Sequence, residues 1–204
     1  MAWKDLTPKT FASIRELNGI SARTQEEHYE LYKGYVGKVN EIQKKLDAVD
    51  RTTANQVFSD LRSLRVDYSF AIGGMKNHEI FFGHLGGKGG APSGKLKEQI
   101  ARDFPSYDAW LADFKASGLA ARGWVWLAYD HDLSMLTTVV GDAQNTFPLW
   151  NATPILALDV YEHAYWLDYG RARAKYIDAF FNNLDWGVVA ANLDRALSKQ
   201  PAAK

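Results

Sequence analysis

The chain has 204 residues, with 24 Lys plus Arg against 24 Asp plus Glu, 47% hydrophobic and 13% aromatic residues, and no cysteine. Its length and apolar content suffice for a real core in one large or two small domains, and its balanced charge leaves no global field to gather nucleic acid or an anionic membrane surface. Without cysteine there can be no disulfide, zinc–thiolate site, iron–sulfur cluster or catalytic thiol, so any metal must sit on nitrogen and oxygen.

In chain order, the opening Met1-Ala-Trp-Lys-Asp-Leu-Thr-Pro8 lacks the basic-then-apolar pattern of a secretory leader. No run approaches the ~18 apolar residues of a membrane span, and a cytoplasmic location is expected. Thr24-Gln-Glu-Glu27 fits a capping box, and His28, Leu31, Tyr35, Val39, Ile42 and Leu46 then step by three or four along one helical stripe. After the break at Thr52-Thr53, a second stripe runs through Val57, Leu61, Leu64, Tyr68, Ala71, Met75, His78 and Phe82. Two helices joined by a short turn pack antiparallel, which brings His28 and His78 to one end of the hairpin.

Five glycines and a proline in Gly86–Gly94 predict a linker or exposed loop and a boundary between a helical hairpin domain, 1–86, and a second domain, 95–204. Beyond it, 95–103 and 106–117 read as helices, and Gly123–Tyr129 and Leu133–Val140 as strands joined by Asp130-His-Asp132. The apolar run 155–160 reads as a third, buried strand, followed by helical patterns over 162–168, 172–183 and 187–198. The expected fold is α+β, with a long antiparallel helical hairpin followed by a three-stranded antiparallel sheet flanked by helices. Pro201–Lys204 reads as a disordered tail.

Asp159 and His163 stand at the end of that buried run, where ionisable groups are costly unless they are paired or bind a metal. With His28 and His78 they make a set of three imidazoles and one carboxylate, suited to Fe, Mn or catalytic Zn. Each histidine taken singly reads more readily as a satisfied core or capping residue. His84 beside the glycine stretch and His131 in the hairpin turn are expected to be exposed. Trp124 and Trp126 share one strand face, and Tyr161 and Tyr165 flank the Asp/His pair. All four can be plain core or the wall of a dry metal site. By itself Gln144 reads as a turn residue.

Asp159-Val-Tyr-Glu-His-Ala-Tyr165 resembles the Asp-Val-Trp-Glu-His-Ala-Tyr signature of the iron and manganese superoxide dismutases. Asn77-His78 with Phe81-Phe82, His28 with Tyr35-Val36, and Gly123-Trp-Val-Trp-Leu127 resemble further segments of that family in the same order. The resemblance implies that His28, His78, Asp159 and His163 bind one Mn or Fe ion with a fifth position left for solvent, and that superoxide is the substrate. It makes Tyr35 the gateway tyrosine, Gln144 the amide bonded to the coordinated solvent, and Trp124 and Trp126 part of the aromatic shell. Glu162 would bond across a homodimer, possible also within a tetramer, to the partner subunit's equivalent of His163.

Three departures from the family pattern stand out. The His28–Tyr35 segment is one residue short, with Tyr32 or Leu31 where a second histidine is usual. Trp166 replaces a tyrosine, and Tyr161 replaces a tryptophan. The first two change both ends of a hydrogen-bond relay at the dimer interface, so a more apolar interface and greater reliance on Tyr35 for protons are expected. The solvent-bonding glutamine lies at 144 rather than at the earlier position, Gly74, which leans towards manganese or use of either metal. A mononuclear non-haem oxygenase or hydrolase and a non-catalytic structural relative are the competing readings. The first needs a pocket for an organic substrate, and the second leaves a complete ligand set without a purpose.

Overall fold

In the computed structural model, which describes residues 3–146 and 149–199, an irregular N-terminal segment leads into a hairpin of two long helices. These are α1 (Ala22–Ala48) and α2 (Asp60–Gly83). The first starts one turn before the expected capping box. Ser21 is its N-cap and accepts the Thr24 N–H at 3.1 Å, while Thr24 is buried inside the helix. The second starts at Asp60 rather than at Val57. Ser59 caps it, and the Asn55 side chain takes the N–H groups of Val57 and Phe58, holding both out of the helix with their side chains exposed.

Val39, Ile42 and Leu46 of α1 cluster with Ala71 and with Leu61, Leu64 and Tyr68 of α2. The end of α1 thus meets the start of α2, and at the other end the His28 and His78 rings lie 4.8 Å apart. The hairpin is antiparallel, as its periodicity predicts.

Lys88, Gly90, Ala91, Ser93 and Gly94 of the glycine stretch are exposed, yet its backbone is also bonded to the C-terminal part of the chain. Gly87 N–H donates to Asn183 O at 2.9 Å, Gly89 N–H to Leu184 O at 3.1 Å, and the Trp186 indole N–H to Gly90 O at 2.9 Å. A Cβ on Gly87 would stand 2.4 Å from Leu184 O. The glycines let this backbone lie directly against the C-terminal part of the chain, a role that composition alone cannot distinguish from flexibility.

Helices α3 (Gly94–Asp103) and α4 (Tyr107–Ala120) precede a sheet of β1 (Trp124–Asp130), β2 (Met135–Gly141) and β3 (Ala152–Asp159), in the antiparallel order β2-β1-β3. Every residue of β1 is buried, as befits a central strand covered on both faces. The register sets Trp124 opposite both Gly141 and Asp159. Strands β2 and β3 begin directly after Ser134 and Asn151, each at φ 54°, where the left-handed turn ends. The helix expected over 162–168 is instead a 3-10 turn, Glu162–Ala164, and a single-turn α5 (Trp166–Tyr169), broken at Tyr165. Helices α6 (Arg173–Asn182) and α7 (Trp186–Ser198) complete the α+β fold, α7 lying against β3. The tail Pro201–Lys204 lies outside the described residues.

His84 and His131 are not exposed. His131 is half-buried and bonded to Thr153 Oγ1 at 2.9 Å. His84 is 0% exposed, and its Nε2 accepts the Ala157 N–H at 3.1 Å. Together with Asn192, whose amide donates to Ile155 O at 2.8 Å, it seals the edge of β3 that faces away from β1.

Burial holds the His84 pKa down to about 3, whereas the unfolded chain protonates this group near the ordinary value of about 6.5. Between those values the unfolded state binds more protons, so stability is complete above about pH 6.5 and is lost as pH falls towards 3. His84→Gln keeps an acceptor for Ala157 but does not titrate. It is expected to flatten the fall of the urea midpoint between about pH 6.5 and 4 relative to wild type. His28 and His78 are common to both proteins, so identical slopes would show that His84 contributes nothing to acid sensitivity.

Candidate metal centre

Four side chains from four places in the fold meet at one point. His28 comes from the first turns of α1, His78 from the last turns of α2, Asp159 from the end of β3, and His163 from the turn that follows. Their candidate ligand atoms all lie within 4.8 Å of one another. His28 Nε2 and His163 Nε2 are each 3.1 Å from Asp159 Oδ2, and His78 Nε2 is 3.5 Å from the same oxygen. His28, His78 and Asp159 are buried, and His163 has a 30% exposed side chain.

The hydrogen-bonding pattern tests whether this set suits a cation. His78 Nδ1 lies 2.6 Å from the Gly74 carbonyl, which can only accept, so Nδ1 carries the proton. Burial, aided by His28, lowers the His78 pKa to about 3 and keeps the ring neutral. Its Nε2 therefore presents a bare lone pair, has no hydrogen-bond partner, and points at a carboxylate oxygen. Two acceptors, both 0% exposed, face each other, an arrangement that a cation between them resolves. Burial likewise lowers His28, against the pull of Asp159. Burial alone would raise the Asp159 carboxyl, but His163 and His28 outweigh it and its pKa is lowered.

The surroundings hold these groups in place. Asp159 Oδ1 accepts the Tyr161 N–H at 2.9 Å, and its carbonyl accepts the Tyr176 hydroxyl at 2.8 Å. Phe81 and Phe82 lie 5.0 and 4.9 Å from the His28 ring, and Trp124 stands edge-on to His78 at 5.3 Å. Trp126 stacks on Trp124, and Tyr161 stacks on His163 at 5.3 Å.

Gln144, buried in the loop after β2, sits inside this shell. Its Oε1 accepts the Trp124 indole N–H at 3.0 Å, and its Nε2 donates to the Tyr35 hydroxyl at 3.2 Å. Asn77 donates to the Gln144 carbonyl at 3.2 Å. A Cβ on Gly74 would stand 2.8 Å from the Tyr35 ring, so that position cannot carry a glutamine while Tyr35 stays where it is.

Other candidates lie further out. Glu162 is exposed beside His163, on a recess of about 610 Å³ that Arg122, Tyr161 and Arg173 also line. Trp166 is 48% exposed, and Tyr165 is buried against Tyr176. Tyr32 is fully buried one ring behind His28, with Phe82 between them. Its hydroxyl accepts the Lys9 N–H at 2.9 Å and donates to Glu79 at 3.1 Å. Burial pushes its pKa up to about 12. Tyr176 and the Gly74 carbonyl are the groups that sequence reasoning missed. A tyrosine on a buried helix face needs a hydroxyl partner, which is the one signal that pointed to Tyr176.

A model of the C-terminal domain of iron/manganese superoxide dismutases matches residues 92–192. Iron superoxide dismutases of Aquifex pyrophilus and Aquifex aeolicus (strain VF5) are each 42% identical over 98% of this chain and 96% of their own. A manganese superoxide dismutase of Haloferax volcanii is 37% identical over 87% of this chain and 89% of its own. Similarity of this extent, running through the helical hairpin as well as the sheet, means that the chain belongs to the iron/manganese superoxide dismutase family.

Proposed function

We propose that this chain is a superoxide dismutase: two superoxide anions and two protons become one dioxygen and one hydrogen peroxide, one anion being oxidised and the other reduced. The observation that carries this reading is the bare lone pair of His78 set against the buried Asp159 carboxylate in a family of iron and manganese dismutases. His28, His78, Asp159 and His163 would hold one manganese or iron ion, which supplies a one-electron couple of intermediate potential. Zinc, having no redox chemistry, would not serve. The crowded aromatic wall speaks against the oxygenase and hydrolase alternatives, which need room for an organic substrate.

The remaining steps fall to the chain's own side chains. Trp124, Trp126 and Phe81 help keep bulk water off the buried His28 and His78 imidazoles. Gln144, held by Trp124, presents its amide to the Tyr35 hydroxyl oxygen, which leaves the Tyr35 O–H free to donate a proton. Burial raises the Tyr35 pKa, so the phenol keeps its proton at neutral pH. Tyr35→Phe is expected to lower turnover about tenfold or more and to change the alkaline limb of the pH profile. Superoxide decay measured after pulsed generation over a range of pH checks this. An unchanged rate and profile would remove Tyr35 from proton supply.

We read the assembly as a homodimer closed over the recess beside His163, where Glu162 of the partner subunit would reach the imidazole. Trp166 and Leu167, soon after His163 in the chain, have exposed side chains that suit an apolar contact. Light scattering is expected to give twice the chain mass, and Trp166→Glu to shift it towards monomer. A fully active monomer contradicts the dimer. No helix among the described residues is long and apolar enough to cross a membrane, and cell fractionation tests the expected cytoplasmic location. Decay of superoxide by the purified holoprotein, lost on chelation and restored by manganese or iron, tests the function itself.

A further inference from the structure

A recess of about 530 Å³ lies between α2, α7 and the start of β3. Four cationic side chains line it: Lys76 from α2, Arg195 from α7, Lys199 just past the end of α7, and Lys9 from the N-terminal segment. One carboxylate, Glu79, is among the lining residues, and it is already engaged by Lys9 and the Tyr32 hydroxyl. Lys76 and Lys199 have no carboxylate within ion-pair reach among the described residues, in contrast to Lys33, Lys38, Lys45, Lys95 and Lys115. In a chain whose formal net charge is zero, this is a local surplus of positive charge gathered from three segments.

We infer that this recess binds a small soluble anion carrying at least two phosphate groups. Four cations against the single carboxylate Glu79 leave a formal local charge of about +3, more than one phosphate group of about −1.5 to −2 balances, and lysine ammonium groups serve phosphate as mobile point charges. Asn192 and Thr153, already bonded to Ile155 O and His131, and the apolar Ile80 and Val188 also line it. The volume falls within the ~300–1,000 Å³ of small-molecule sites. No unpaired carboxylate, histidine or thiol lines the recess, so its role is binding and not chemistry. This inference does not depend on the dismutase reading.

The test is calorimetric titration of the metal-loaded protein with inorganic pyrophosphate at about 0.15 M ionic strength, where weak surface attraction is screened. Saturable one-to-one binding is expected. Lys76→Gln with Lys199→Gln is expected to weaken it at least about tenfold, whereas Lys44→Gln with Lys97→Gln, which removes equal charge elsewhere, leaves it unchanged. A Cβ on Gly83 meets nothing within 4 Å, so Gly83→Phe should fill the recess without straining α2 and abolish binding while metal content and superoxide decay stay as in wild type. Absence of saturable binding by wild type, or equal affinity in the two double variants, overturns the inference.

Discussion

Replacing Asp159 with asparagine is expected to give a folded chain that retains neither manganese nor iron and consumes superoxide no faster than buffer. Asparagine has the same shape, and its Oδ1 can still accept the Tyr161 N–H, while the Tyr176 hydroxyl bonds to the main chain and is untouched. What disappears is the only anion among the four converging groups. Three neutral imidazoles cannot offset the charge of a divalent or trivalent ion in a water-excluded site. Affinity should fall by more than the ~10–100-fold typical of changes to groups that merely orient ligands. The metal-free variant should also be less stable than metal-free wild type at neutral pH, because it loses the carboxylate that His28 and His163 hold in its ionised form. Metal content by mass spectrometry and denaturant midpoints of both apoproteins check the two halves. A variant with a full metal equivalent and wild-type turnover would sink the assignment of the site.

Gln144→Leu is expected to separate metal binding from turnover. The leucine fills similar space but leaves the buried Trp124 indole N–H without its acceptor and the Tyr35 hydroxyl without its donor. An unsatisfied buried donor costs about 1–3 kcal/mol, so the melting midpoint should fall. The ion should stay at full occupancy, because the four ligating side chains keep their positions. Turnover should drop about 10–100-fold with a shift in reduction potential, as expected when a group that tunes a metal site is removed. Unchanged potential and rate would make Gln144 a structural spacer between Trp124 and Tyr35. Loss of the metal would place it among the groups that bind.

Much of this is legible in the sequence. The three-and-four stepping of His28 through Leu46 and of Leu61 through Phe82 describes two helices; they pack antiparallel as expected, although the connection, 49–59, is eleven residues and not a short turn. Asp159 and His163 were conspicuous because a carboxylate and an imidazole ended an apolar run. The partners of Gln144 and Tyr35 were not legible from spacing. Their roles came from family resemblance, since a glutamine in a turn looks like any other until the fold brings residue 144 to α1. His84 was misplaced because its neighbours in sequence are glycines, while its burial comes from β3, more than seventy residues on. The same long-range contact misled the reading of Gly87 and Gly89. Composition reports that a backbone is bare of side chains, and only the fold shows that the bareness serves close approach to 182–185. Val57 and Phe58 fell outside α2 because the Asn55 side chain competes for their N–H groups, a local effect that periodicity ignores.

The most direct measurement is superoxide decay by apoprotein loaded separately with manganese, iron and zinc, each rate normalised to the metal bound. Catalytic decay with manganese, iron or both, and none with zinc despite a full equivalent bound, is the expected result. A full equivalent of manganese or iron without turnover, or a zinc form as active as either, would contradict the reading of this site as a redox centre.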